Sequence, residues 1–452
     1  MKTTPTIIRK RWAALSLLLI ASALVAAFQG PFAATATNTT TETTIVLQTT
    51  GAPLLASTSQ VVANQLANET NPHVDCNLAS YTFDDFQGSS TIHYQDLATG
   101  IDNVIPGNQV DLLSDISGSR VAYTEVTFTG DTVRIFDTNS QTTTIVPGFN
   151  RGNPSIGGNL VAFEHYYNSA SLMQREIEVY DLTTGTITPL SNDSLFNVNA
   201  NVSPNGNAVV WEKCENTGFD CAVYAAVQTA PGVFTTTALT TPSGHDYLAL
   251  PSTNGYLAVY ASSRTGDSDI YYQPVTGGTE THLAIPGAQR FPRISGDLIS
   301  FESEHQNGTD IFVYDIRTGS LFQVTSTPLD ERVSEISVCN DAGRILYAIV
   351  GDGAFDIRSV TFAVPSVTNE QIDDVIALVR GFNLPPGTAN SLIRKLQNAL
   401  DAISSGDVPT ACSSLTAFKN ECAAQSGKKL TPNQATQLIN AANLIKSNLG
   451  CQ

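Results

Sequence analysis

Charge is scarce in this chain of 452 residues: only 14% of them are charged, and 41 Asp and Glu outnumber 23 Lys and Arg for a net charge of −18. An acidic, lysine-poor surface repels phosphate backbones, which argues against nucleic acid as a partner. Chemical motifs are missing as well. There is no Gly-x-Ser-x-Gly elbow, no phosphate-binding Walker loop, no His-Glu-x-x-His and no Cys-x-x-Cys. These absences exclude the common nucleophilic, nucleotide-binding and zinc-hydrolase signatures, and no catalytic residue can be named. The six histidines, His73, His93, His165, His245, His282 and His305, are scattered, so each reads as a loop or strand-face residue rather than a ligand. Long apolar runs are absent after residue 28, and no later stretch is suited to crossing a bilayer.

What is there begins with a leader pattern. Lys2, Arg9, Lys10 and Arg11 precede an apolar run from Trp12 to Phe28, and a small-residue cleavage pattern follows at Ala34-Thr35-Ala36. This reads as a secretory signal peptide over 1–36 and a Thr-rich linker over 37–43, with an uncleaved N-terminal anchor as the alternative. No Cys stands at the cleavage point to carry a lipid. The expected location is extracellular, cell-surface or periplasmic, which permits disulfides among the seven cysteines. Cys214 and Cys221 flank a hairpin turn and suit a bridge, whereas metal binding there lacks a histidine or second cysteine pair at ligand spacing.

Residues 44–365 carry an internal repeat. A Gly or Asn turn, an apolar strand ending in an aromatic, a polar hairpin and a second alternating strand recur seven times, with the aromatic at Tyr81, Tyr123, Phe163, Trp211, Tyr260, Phe301 and Tyr347. Spacings of roughly 40 to 50 residues are the length of one four-stranded propeller blade. The fold class expected is an all-β propeller of about seven four-stranded blades. The seventh unit ends at Val364-Pro365 without an outer strand, and Thr44-Ile45-Val46-Leu47 is expected to supply it, leaving no long edge exposed. Cys76 and Cys339 occupy matching positions in units one and seven, neighbours only in a closed ring. They read either as a second latch or as two buried thiols.

The strand Ile294-Ser295-Gly296-Asp297-Leu298-Ile299-Ser300-Phe301 followed by Asp310-Ile311-Phe312-Val313-Tyr314-Asp315-Ile316-Arg317-Thr318-Gly319 resembles the repeat of TolB-type propellers, also called WD40-like or PD40 repeats. Residues 156–185 and 116–137 follow the same plan. The resemblance implies architecture more than function, because that repeat serves scaffolds, surface proteins and the gating domains of peptidases. Propellers of that type commonly have six blades, so six is the alternative count.

From Thr368 the apolar period changes from two to 3.6. Ile372, Val375, Ile376 and Val379 make one face, Leu392, Leu396 and Leu400 another, Leu415 and Phe418 a third, and Ala435, Leu438, Ala442 and Ile445 a fourth. A small all-α four-helix domain over 366–452 is expected, with Thr431 as N-cap and Pro432 at the first helical position. Cys412 and Cys422 lie too far apart on one helix to bond, so Cys451 must choose between them. The run Gly387-Thr388-Ala389-Asn390-Ser391-Leu392, with Ala411-Cys412, Gln425-Ser426-Gly427-Lys428 and Leu449-Gly450-Cys451, resembles the FIMAH helical module of secreted bacterial proteins. That resemblance implies a Cys412–Cys451 bridge and leaves Cys422 as the odd buried thiol.

These observations point to a non-catalytic binding or scaffold protein whose loops, chiefly 164–175 and 212–221, recognise a protein, peptide or glycan. The alternative is a glycan-active enzyme, a lyase or hydrolase working from the propeller funnel; a structural part of a surface layer is a third reading. No cofactor is expected. The acidic hairpins Thr265-Gly266-Asp267-Ser268-Asp269 and Gly351-Asp352-Gly353 offer the one opening for a Ca²⁺ ion.

Overall fold

The structure is a computed structural model. It describes residues 42–46, 60–63 and 68–451, apart from 86, 108–109, 167–173, 194, 216–219, 247, 306–307, 317–318, 328, 340–341, 352–353, 365–368, 383, 405–406 and 450. The leader pattern at 1–36 lies outside the described residues, as do the middles of the 164–175 and 212–221 loops and the Asp352-Gly353 turn. Among the described residues no helix is long and apolar enough to cross a membrane.

Strand runs of alternating burial pair antiparallel into seven four-stranded sets. The sets run over residues 68–104, 111–145, 151–189, 196–238, 252–284 and 289–323, and the last takes 330–363 with Gln60–Ala63. The third and fourth sets are joined by a single parallel pair, Arg175 with Phe196. The chain forms a propeller because each inner strand packs against the inner strand of the next set, and Asp330–Cys339 packs back on Asn68–Asp75. The seven repeat aromatics are all buried between sets. The Asp-x-x-Thr-Gly turn has a local cause. In the third set Asp181 Oδ1 accepts from the Thr183 and Thr184 amides at 2.7 and 3.3 Å, and Gly185 takes φ +70°, which only glycine adopts freely.

Closure of the ring corrects one sequence expectation. The strand that completes the seventh set is Gln60–Ala63, antiparallel to Ala354–Ala363, and not the segment around Thr44. Val62 and Ala63 are buried with Val74, Tyr81, Leu346 and Ile357, so the latch is an apolar cluster as well as a ladder. Glu42–Val46 instead runs parallel to Glu280–Ala284 on the outer edge of the fifth set.

Close approach between sets is specific. A Cβ added to Gly157 would stand 1.9 Å from the Ser203 carbonyl oxygen in the neighbouring set. Gly157→Ala is therefore expected to cost roughly 1–3 kcal/mol by forcing the third and fourth sets apart. Denaturant unfolding checks this, and an unchanged midpoint would mean that the interface yields freely.

Beyond the propeller, helices Asn369–Gly381, Pro386–Ser404, Val408–Gln425 and Pro432–Asn448 close on one core that contains Ile372, Val379, Leu392, Leu396, Leu415, Phe418, Leu438 and Ala442. Thr431 caps the last helix reciprocally: its Oγ1 accepts from the Gln434 amide at 3.2 Å, and its own amide donates to Gln434 Oε1 at 2.9 Å. Disulfides join Cys76 to Cys339, Cys214 to Cys221 and Cys412 to Cys451, and Cys422 is a buried free thiol. Three disulfides belong to an oxidising compartment outside the cytoplasm.

Candidate functional site at the ring axis

The inner strands line a central cavity of about 90 Å³, walled by Val74, Asp75, Asp115, Asn201, Ser252, Ser295, Glu335 and Ser337 among others. Six of the seven inner strands carry a register shift, between Thr70 and His73, Leu112 and Asp115, Gly152 and Ser155, Val198 and Asn201, Arg290 and Arg293, and Val333 and Glu335. Asn71, Leu113, Asn153, Asn199 and Phe291 sit inside five of these bulges with φ between 52° and 56°. Such left-handed residues re-aim the chain that follows.

The residue that follows the bulge is therefore equivalent from set to set: His73, Asp115, Ser155, Asn201, Arg293 and Glu335, with Ser252 at the matching place in the fifth. In four of them the side chain accepts from an amide of the next inner strand. Asp115 Oδ2 takes the Ile156 N–H at 2.8 Å, Ser155 Oγ the Val202 N–H at 3.0 Å, Asn201 Oδ1 the Thr253 N–H at 2.9 Å and Ser252 Oγ the Ile294 N–H at 3.3 Å. A second tier two residues on repeats the scheme. Gly118 donates to Asp75 Oδ2 at 2.6 Å, Gly158 to Ser117 Oγ at 3.3 Å, Val338 to Ser295 Oγ at 3.0 Å and Cys76 to Ser337 Oγ at 3.0 Å. Buried backbone donors need such partners, so these side chains hold set to set.

Where the first tier departs from small polar residues it becomes charged, at Arg293, Glu335, His73 and Asp115, on four consecutive sets. Arg293 Nη1 donates to the carbonyls of Pro292 and Leu250, at 3.0 and 3.5 Å. The other three meet: His73 Nδ1 lies 3.2 Å from Asp115 Oδ1 and 3.2 Å from Glu335 Oε2. Burial alone would lower the His73 pKa, but the charges and hydrogen bonds of the two carboxylates outweigh it and raise it to about 9. Asp115 moves the other way, below the usual carboxylate range: burial opposes this, while His73 and the Ile156 amide more than compensate. At neutral pH the imidazolium thus bridges two carboxylates.

Four of the six histidines stand on strands against carboxylates, His73 in the triad and three others within single sets. His93 meets Asp102 at 2.8 Å, His165 meets Glu178 at 3.1 Å and His282 meets Asp269 at 2.9 Å, each pair on neighbouring strands of one set. In the hairpin considered for calcium, Asp269 Oδ2 is taken by His282 and by Thr265 Oγ1 at 2.7 Å. The axial triad was missed because its members lie 42 and 262 residues apart. A signal was present, since His73, Asp115, Ser155, Ser252 and Arg293 each stand eight residues before the buried aromatic of their repeat.

The Cys214–Cys221 bridge ties the ends of paired strands in the fourth set, away from the axis residues, and Cys76–Cys339 ties the first and seventh sets beside Asp75, where Cys76 Sγ lies 3.4 Å from Asp75 Oδ1.

No family model matches the sequence, and no curated protein is similar to it. Solved structures match in fold. The β-propeller domain of the Trilobed protease from Pyrococcus furiosus, described as an open velcro topology, is 9% identical with a TM-score of 0.51, over 65% of this chain and 95% of that one. The acylaminoacyl peptidase of Pyrococcus horikoshii is 10% identical with a TM-score of 0.50, over 65% of this chain and 51% of that one. TolB from Acinetobacter baumannii is 15% identical with a TM-score of 0.36, over 67% and 79%. The chain thus spans about half the length of the whole peptidase. Against the expectation of a non-catalytic recognition scaffold, the two neighbours with TM-scores of 0.50 and above are propellers of a protease and of a peptidase. At such identities the likeness is one of fold, and the fold is a β-propeller followed by four helices.

Proposed function

We propose that the chain is a protease-related propeller whose axis admits the end of a polypeptide. The carrying observation is the charged sector of the inner ring, where Asp75, Asp115 and Glu335 face the cavity with His73 as the near cation. Their charge sum is negative, and a cavity walled by amide-bearing strands strengthens its attraction for an ammonium group. The amino terminus of a peptide is the group that fits. The names of the fold neighbours, a Trilobed protease and an acylaminoacyl peptidase, support a place in peptide breakdown. The basic then apolar start of the chain and the FIMAH-like helices support an exported protein held at the cell exterior.

Peptides with free amino termini are expected to bind the purified chain roughly tenfold more tightly than their N-acetylated forms, about the worth of one charge-assisted hydrogen bond. Asp115→Asn and Glu335→Gln are expected to remove the difference. Fluorescence anisotropy gives the affinities, and parallel incubation of the peptides with the chain followed by mass spectrometry reads cleavage. Equal affinity for free and blocked peptides, or none for either, would overturn the proposal.

A further inference from the structure

From the second set to the fifth the first-tier position receives an amide of the next set, a task that serine, asparagine or aspartate performs. At Arg293, Glu335 and His73 the repeat gives that residue type up, and the last two flank the seam where the ring closes. We propose that His73, Asp115 and Glu335 form a binding site for one divalent transition-metal ion of the zinc or manganese type, a site that shares these residues with the peptide reading but is read out by metal content alone, so that either can fail without the other.

The spacing suits an ion. Two donors each about 2.1 Å from one metal, at angles between tetrahedral and octahedral, lie about 3.0–3.4 Å apart. The His73 nitrogen lies 3.2 Å from an oxygen of each carboxylate, and the three donor atoms all fall within 4.8 Å of one another. One imidazole with two carboxylates favours a borderline ion, because calcium and magnesium prefer oxygen alone and thiolate is what softer sites use. The donors are held by the fold. Asp115 accepts from the Ile116 amide at 2.7 Å and the Ile156 amide at 2.8 Å, and Glu335 Oε1 accepts from the Ile336 amide at 3.3 Å, which leaves Oε2 toward His73. Carboxylates fixed in this way by outer hydrogen bonds are the supporting shell a metal site needs. The cavity of about 90 Å³ beside Asp115 and Glu335 has room for waters that would complete the coordination. On binding, the ion replaces the proton on His73 Nδ1, which passes to solvent, and both carboxylates then neutralise the metal charge.

The test uses the untagged full chain, stripped with chelator and dialysed against Zn²⁺, Mn²⁺ or Ca²⁺. Elemental analysis is expected to find one equivalent of zinc or manganese in the wild type, none of calcium at this site, and almost no metal in His73→Gln/Glu335→Gln, a pair that removes one charge of each sign and leaves Asp115 its Ile116 and Ile156 amides. Loading with Co²⁺ is expected to give a visible d–d spectrum in the wild type that reports mixed nitrogen and oxygen ligands. A wild type that retains no metal, or a double variant that retains as much, would overturn the site. Should the variant not fold, the cobalt spectrum decides alone, and its absence sinks the idea. Running the peptide measurements in chelator keeps the two proposals separable.

Discussion

Replacing Cys76 and Cys339 together by serine is expected to lower the unfolding free energy by about 5 kcal/mol and the melting temperature by roughly 10 °C. The bridge spans 263 residues, so cutting it frees almost the whole propeller in the unfolded chain while leaving most native contacts in place. In the chain-entropy view the cost rises with the logarithm of loop length. Cys214 and Cys221 close only seven residues, and the matching double serine variant is expected to cost about 2 kcal/mol by the same relation. Both bridges lie in one propeller, one between its first and seventh sets and the other within its fourth. The ring should still close in the long-loop variant. Gln60–Ala63 remains paired with Ala354–Ala363, and the Cys76 amide donates to Ser337 Oγ, which does not depend on the sulfur. Differential scanning calorimetry of the two variants decides it. Equal losses, or a larger one for Cys214 and Cys221, would assign the stabilisation to local packing around sulfur instead of to the unfolded chain.

How much of this was legible in the sequence depends on the range of the interaction. The seven repeat aromatics were, because a large ring at a fixed place in every repeat is where neighbouring blades must pack, and all seven are buried. The C-terminal helices were, since the change from period two to 3.6 at Thr368 is local. The closing strand was not: a short apolar segment carries no mark of which edge it will cover, and Glu42–Val46 and Gln60–Ala63 ended on different sets. The axial site was not either. His73 reads as solitary along the chain and acquires Glu335 only when the ring closes. Aligning the repeats on their aromatics would have put His73, Asp115, Ser155, Ser252 and Arg293 in one column and shown the charged members standing out from the serines. That column is information the chain holds, but as a comparison among its own repeats and not as a motif.

Stability of the metal-free chain is expected to peak near pH 5 and to fall toward pH 8, with Glu212 as a principal cause. Its carboxyl is fully buried between the fourth and fifth sets, and burial raises its pKa to about 7, although the Asn199 amide nitrogen at 3.0 Å and the Leu250 N–H at 2.7 Å both donate to Oε1 and oppose the shift. Glu331 is likewise raised to about 7, by burial first and then by the neighbouring Asp310 carboxylate. A carboxyl whose folded pKa lies above its unfolded value near 4.5 binds its proton more tightly in the folded chain. Its contribution is whole below pH 4.5 and is lost as pH rises to 7. For Glu212 the loss is about 3 kcal/mol, some two and a half pKa units. On the acid side Glu178 and Asp193 are lowered by Arg151, His165 and Lys213 against the opposing effect of burial, so their stabilisation disappears as pH falls below 4. Glu212→Gln keeps an oxygen acceptor for both donors and cannot ionise. Its melting temperature is therefore expected to match the wild type at pH 4.5 and exceed it at pH 7.5, the gap opening between those values. A gap already complete at pH 4.5, or one that opens only above pH 8, would remove Glu212 as the cause.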